Sequence, residues 1–535
     1  MKTMINSIIL ASCLALPLAS CSDSDAAPEQ KDWSTTTYFN SSDAAAQDTY
    51  YKPAVGYVGD PMPFFDPVAG DFKVLYLQDF RPNPEGTYHP IWGVSTKDAA
   101  HYTALGELVS CGTLKSQDAA IGTGSTIYDE ASKLYYTFYT GNKYKPTGDE
   151  SAQAVMVATS ADFKTWTKDR TFLIKGQDFG YDKNDFRDPF VFKGDDGKFH
   201  MLVSTKKGGK GSLAEFVSDD LKNWTDNGVF MTMMWDRFYE CPDLFKMGDY
   251  WYLVYSELHH AVRRVQYFKG RTLDELKACT ANDAGRWPDA HEGFLDSRGL
   301  YAGKTASDGT NRYLWGWCPT RSGKDNTAVG ASPAEPEWAG NLVCYKLIQH
   351  EDGTLTLGQV DAVSEKYNQD VAVEVKESQN MTEADGTYTL AGNAEHPDAY
   401  MLMGRLGSHN KISFTVTTSN KWDKFGISMV RGSDSKKYYT MVVNPEDENN
   451  RKVNFEEQGV EGKGFIAGID GYVFARPADN VYNVTIYTDN SICVMYINDV
   501  CSYTNRIYGI QKNCWSINSY NGANVKISNL KISQY

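Results

Sequence analysis

The chain has 535 residues, too many for one ordinary hydrophobic core, so two domains are expected. It is 41% hydrophobic and 13% aromatic, which excludes a disordered composition. Its 53 basic and 68 acidic residues leave a net charge of −15, which excludes nucleic acid as a partner and suits a neutral polymer.

The first 21 residues read as an export signal. Lys2 precedes an apolar run from Ile8 to Leu18, too short for a permanent membrane span. The run ends in Leu18-Ala19-Ser20-Cys21, which resembles the lipobox of bacterial lipoproteins. Cleavage before Cys21 would leave it lipid-modified and anchored to a membrane. Ser22-Asp23-Ser24-Asp25 resembles the acidic tag of Bacteroides-type surface lipoproteins. The expectation is an outer-membrane lipoprotein facing the exterior, with residues 22–51 as a linker. Eight further cysteines show no CxxC and no clustering with His, so no metal site is expected. An exported chain can carry a disulfide, for instance Cys493 with Cys501, but nothing in the spacing demands one.

From residue 52 a repeat begins. Five β-branched and aromatic strands resemble one another: Phe72–Gln78, Lys133–Tyr139, Lys198–Ser204, Asp249–Tyr255 and Asn311–Trp317. Their first residues are spaced by 61, 65, 51 and 62 positions. A second repeat runs behind them, as Asp98-x3-Tyr102-Thr103, Asp162-x3-Trp166-Thr167 and Asp220-x3-Trp224-Thr225. A unit of several short strands without helical periodicity is a propeller blade. The spacing predicts an all-β chain with a five-bladed propeller over 52–348. Two independent β-sandwiches would not explain the fivefold period. After a polar linker over 349–370, the alternating strands Lys411–Val416, Tyr438–Val443, Tyr482–Tyr487 and Ile492–Ile497 predict a C-terminal β-sandwich over 371–535.

Three carboxylates stand just before Pro-containing apolar runs: Asp60 in Gly59-Asp60-Pro61-Met62-Pro63, Asp188 in Arg187-Asp188-Pro189, and Glu240 in Glu240-Cys241-Pro242. They open the first strands of blades 1, 3 and 4, and such strands line the central channel, so the three should meet in one funnel. Carboxylates crowded together raise at least one pKa. Glycoside hydrolysis needs that split, with one ionised and one protonated carboxyl.

The set Asp60-Pro61, Phe186-Arg187-Asp188-Pro189 and Glu240-Cys241-Pro242 resembles glycoside hydrolase family 32, the fructosidases. Gln78 after the second strand, Trp92-Gly93, Gly124-Ser125, Tyr301-Ala302, Leu314-Trp315-Gly316-Trp317 and the sandwich run Val494–Asp499 agree with it. The resemblance implies that Asp60 is the nucleophile, Glu240 the general acid/base, and Asp188 a transition-state stabiliser beside Arg187. It implies substrate contacts at Gln78, Trp92, Ser125, Tyr301 and Trp317, a retaining mechanism, and no metal or cofactor. An inverting family 43 hydrolase shares the propeller and three acids, but Glu-Cys-Pro argues against it.

There is one departure. The family usually has Asn on both sides of its Asp-Pro, and here the neighbours are Gly59 and Met62. This version resembles surface endo-levanases of Bacteroides-type bacteria, which cut β-2,6-linked fructan. Trp235, Tyr239, Trp287 and Trp317 are candidate stacking rings for an open cleft. The implied partners are a fructan and an outer-membrane glycan import complex. An exo-β-fructosidase or inulinase, and a non-catalytic fructan-binding surface lipoprotein, remain as alternatives.

Overall fold

The computed structural model describes residues 49–233, 238–257, 264–279, 292–320, 337–431, 438–445, 452–458, 472–474 and 476–535. The export signal, Cys21, the acidic tag, Trp235 and Trp287 lie outside these residues.

Five antiparallel units of four strands follow in chain order. Their first strands are Tyr57–Asp66, Ala120–Asp129, Phe186–Lys193, Glu240–Met247 and Tyr301–Ser307. Each pairs with a second strand: Asp71–Asp79, Leu134–Asn142, Phe199–Lys207, Tyr250–Glu257 and Arg312–Pro319. These second strands are the five similar segments of the sequence. Each first strand touches the first strand of the next unit, and the fifth returns to the first. The result is a closed five-bladed propeller.

The second strands are apolar on both faces because both faces are buried. Tyr135 and Tyr139 pack toward blade 1, while Tyr136 and Phe138 pack toward blade 3. Leu202 faces blade 4, while Met201 and Val203 face blade 2. A fully buried side chain of this size contributes about 1.5–3 kcal/mol.

The second repeat forms the turns between third and fourth strands. Asp98, Asp162 and Asp220 each accept backbone N–H groups two and three residues on. The following residues, Ala99, Phe163 and Leu221, take φ near 60°. A short acid that bonds its own turn suits this geometry.

Blade 5 closes later than expected. Leu355–Gly358 is its fourth strand, paired to Gly340–Gln349, with Leu355 and Leu357 buried. A short helix, Asp361–Lys366, and a strand, Gln369–Val371, complete the stretch expected to be a polar linker. The edge of Gly340–Gln349 orders Leu355–Gly358, Val363 of the helix buries in the same core as Leu355 and Leu357, and the exposed Gln369–Val371 pairs with Asn524–Gln534 of the C-terminal domain.

The remaining chain forms two antiparallel sheets. The four expected sandwich strands fall within His409–Thr418, Tyr438–Asn444, Val481–Asp489 and Ile492–Ile497. Ile412, Phe414 and Val416 of one sheet share a core with Phe425, Ile427, Met429 and Trp515 of the other. The sandwich is bonded to the propeller. Asp296 accepts from the Ser502 hydroxyl and from the Thr504 hydroxyl and N–H. The buried Arg506 guanidinium donates to the carbonyls of Cys318 and Pro319 and to Asn341. It thereby holds the end of the strand that carries Trp317. Cys493 and Cys501 are both free thiols, so the disulfide considered for them does not form.

Candidate active site

All five first strands bulge at the same place. The pairing register skips between Gly59 and Met62, between Gly122 and Gly124, between Glu240 and Asp243, and between Tyr301 and Lys304. In blade 3 it skips between Arg187 and Phe190. Asp60, Asp188, Cys241 and Ala302 take φ of 33°, 57°, 51° and 52°, which non-glycine residues rarely adopt. Proline follows three of them, because the next N–H has no ladder partner there. Bulges re-aim side chains, and here they stack them in layers down the channel.

The upper layer is Gly59, Gly122, Arg187, Glu240 and Tyr301, and the next is Asp60, Thr123, Asp188, Cys241 and Ala302. This corrects one expectation. Asp60 and Asp188 are equivalent, but Glu240 sits one position earlier, beside Arg187 and Tyr301 rather than beside Asp188. The offset decides its partners. Glu240 Oε1 accepts from Arg187 at 2.9 Å, and Oε2 accepts from the Tyr301 hydroxyl. Arg187 also holds Asp185 at 2.8 Å and lies over the Phe238 ring at 3.8 Å. Burial works against the Arg187 charge, but Asp188 and Glu240 hold its pKa above the ordinary value.

Asp60 is held from two sides. Its Oδ1 accepts from Trp317 Nε1 at 3.0 Å, and its Oδ2 from the Thr123 hydroxyl at 2.7 Å. Asp188 is buried, and its Oδ2 accepts the Cys241 N–H at 2.9 Å. Its own N–H reaches the Thr140 hydroxyl at 2.8 Å, which in turn donates to the Thr123 carbonyl at 2.9 Å. Burial pushes the Asp188 carboxyl up to about 6. The charges of Glu240 and Asp60 add to that, while Arg187 and the Cys241 N–H oppose it. A third layer lies below. Lys304 is buried there, donates to the Gly124 carbonyl at 2.7 Å and sits over Phe190. Burial lowers its pKa, and Cys241, Asp243, Asp188 and Asp60 counter the effect.

The other expected contacts divide. Tyr301 and Trp317 reach the acids. Ser125 does not, because its hydroxyl joins blade 2 to blade 3 by donating to the Pro189 carbonyl and accepting the Val191 N–H. Gln78 is buried, and its amide donates to the Val55 carbonyl at 2.6 Å. Trp92 packs edge-on against Phe80. Tyr239 is no stacking ring, being buried in the blade 4 core against Tyr255. Thr123, Thr140 and Lys304 escaped the sequence reading. Only the small residues flanking Thr123, Gly122 and Gly124, hinted that a backbone passes close by.

The departure from the family's Asn residues has a packing reason. The Trp338 ring lies where a Cβ at Gly59 would be, so an Asn there would overlap it. Met62 turns into the third layer, where its Sδ accepts the Gly124 N–H at 3.1 Å. We expect Gly59→Asn to displace Trp338 and lower kcat/KM by about tenfold or more, as an overpacked site must shift its neighbours. Combining it with Trp338→Ala should recover part of the loss, which a double-mutant cycle measures. Additive losses would sink the explanation.

The chain matches the family model "Glycosyl hydrolases family 32 N-terminal domain" over residues 50–360 and "GH32, BT1760-like, C-terminal domain" over 353–532. An Arabidopsis thaliana protein named beta-fructofuranosidase, insoluble isoenzyme CWINV2, is 26% identical over 320 residues, covering 54% of this chain and 51% of that protein. A Staphylococcus xylosus sucrose-6-phosphate hydrolase is 25% identical over 345 residues, covering 61% and 65%. The matched region is thus half to two thirds of these relatives. The structure of sucrose-6-phosphate hydrolase from Lactobacillus gasseri has the same fold, with a TM-score of 0.66, 18% identity, and coverage of 92% of this chain and 93% of that one. With a family model covering more than half of its length and the three acids gathered in one propeller channel, the chain belongs to glycosyl hydrolase family 32.

Proposed function

We propose that this protein is a retaining β-fructosidase that cuts β-2,6-linked fructan within the chain, at the cell surface. The observation that carries the reading is the contrast between two carboxylates in one channel. Asp60 is held between Trp317 and Thr123, and Glu240 is held between Arg187 and Tyr301 one layer above. In the first step Asp60 attacks the anomeric carbon of a fructosyl unit. The bond to the leaving oxygen breaks as Glu240 gives that oxygen its proton. A fructosyl ester remains on Asp60. In the second step Glu240 takes a proton from water, the water oxygen attacks the anomeric carbon, and the Asp60 carboxylate leaves. Asp188 grips hydroxyls of the transferred sugar.

Fructosyl specificity is supported by the family and by the names of its relatives. Internal cleavage is supported by a cavity of about 490 Å³ lined in part by Trp338, whose ring lies over Gly59. The β-2,6 linkage rests on the likeness of Gly59-Asp60-Pro61-Met62-Pro63 to endo-levanases. Surface anchoring rests on the lipobox at Cys21, and an import complex would take up the products.

A product profile at low conversion on levan and inulin tests the reading. A ladder of short oligosaccharides from levan, and none from inulin, is the expected result. Free fructose as the sole early product would make the enzyme an exo-β-fructosidase. No product from either polymer would leave a fructan-binding protein.

A further inference from the structure

We propose that Lys304 is a positioning residue: its buried ammonium, one layer below Asp60 and Asp188, keeps those two carboxylates ionised and so sets the lower pH limit of activity. The inference rests on the fructosidase reading above.

Lys304 is 2% exposed, in the third layer of the channel. Its ammonium donates to the Gly124 carbonyl at 2.7 Å and lies 5.4 Å from the centre of the Phe190 ring. Gly124 follows Thr123, whose hydroxyl bonds Asp60, and Phe190 stands two residues after Asp188. The ammonium thus touches the strand that bonds one acid and the strand that carries the other.

A hydrogen bond to a carbonyl does not by itself call for a charge. A neutral amide could make it, and Met62 holds the N–H of the same Gly124 with an uncharged sulfur. Burying an ammonium is costly unless nearby charges compensate it. Burial lowers the Lys304 pKa, and Cys241, Asp243, Asp188 and Asp60 raise it again. Burial also pushes the Cys241 thiol well up, so it is neutral in the working range and the carboxylates are the charges that count. Such coupling is reciprocal. The acids hold the proton on Lys304, and the ammonium in turn favours the ionised form of each acid.

The other charges that face this pair come from every neighbouring blade. Glu240 accepts from Arg187 at 2.9 Å and from the Tyr301 hydroxyl. Asp243 accepts the Thr305 N–H at 2.7 Å, and the Arg312 guanidinium opposes the effect of burial on it. Blade 2 presents the hydroxyls of Thr123 and Thr140. Lys304 is the cation of the layer beneath Asp60 and Asp188. The margin it protects is small, because burial already holds Asp188 at about 6 with Arg187 beside it. Without the ammonium both carboxylates would bind protons at higher pH, so the acidic limb of the activity profile would rise.

The test measures the pH profile of kcat/KM for the parent, Lys304→Gln and Lys304→Met, on whichever of sucrose, levan and inulin the parent cleaves fastest. Gln keeps an N–H for the Gly124 carbonyl, and Met keeps only the bulk. We expect both to move the acidic limb up by about one pH unit, which is a loss of about tenfold in kcat/KM at a fixed pH below the limb. The basic limb, where Glu240 loses its proton beside Arg187, should move less. An acidic limb unmoved in Lys304→Gln overturns the proposal, whatever Lys304→Met does. If Lys304→Gln does not fold, the double variant Asp60→Asn/Lys304→Gln decides. Removing the facing charge as well should restore a folded protein, and a double variant that also fails to fold would assign Lys304 to packing and overturn the proposal. A parent that releases fructose from none of the three substrates overturns the fructosidase reading, and the inference with it.

Discussion

Asp60→Asn should lower kcat on every fructoside by on the order of 10⁵-fold, the scale seen when a covalent nucleophile is removed. The amide has the shape of the carboxylate but cannot form the fructosyl ester. Its surroundings should survive the change. Trp317 Nε1 still has an oxygen to donate to, and the Thr123 hydroxyl can turn to accept from the new N–H₂ in place of donating. The thermal midpoint should therefore stay within a few degrees of the parent while activity disappears. Initial rates beside a thermal unfolding curve check both halves. Residual activity above about 1% would mean that Asp60 does not form the covalent bond.

Glu240→Ala should show a different pattern. General acid–base help is worth about 10²–10⁴-fold, so hydrolysis of levan or sucrose should fall by roughly that factor. A β-fructoside with an activated aryl leaving group needs no proton on its leaving oxygen, so the first step should be largely spared. The second step still needs a base for water. The fructosyl-Asp60 ester should then accumulate, visible as a mass increase on the intact protein. Azide, a nucleophile that needs no base, should release it as a fructosyl azide. The fold should tolerate the change because Arg187 keeps Asp185 as a partner. Equal loss on activated and natural substrates, with no trapped ester, would remove Glu240 from the acid/base role.

Much of this was readable along the chain because propeller blades repeat locally. The second strands are buried on both faces, so their aromatic and β-branched composition recurs five times and marks the fivefold period. The Asp98, Asp162 and Asp220 turns repeat for an equally local reason, since each acid bonds its own backbone. The expected linker failed on the same principle in reverse. Leu355–Gly358 is too short to announce a strand, and only the edge of Gly340–Gln349 makes it one.

The sequence by itself determined the all-β class, the propeller, the sandwich and the three first strands that carry Asp60, Asp188 and Glu240, because these follow from composition, period and short motifs. Only the tertiary structure decided which groups share a layer of the channel. A bulge moves a side chain by one position along a strand, and the moved residue meets partners from other blades. Glu240 thus faces Arg187 and Tyr301, Thr123 bonds Asp60, and Trp338 fills the space above Gly59. These partners stand tens to hundreds of residues apart, and no local pattern links them. Closing the ring of blades is the physical step that brings them together.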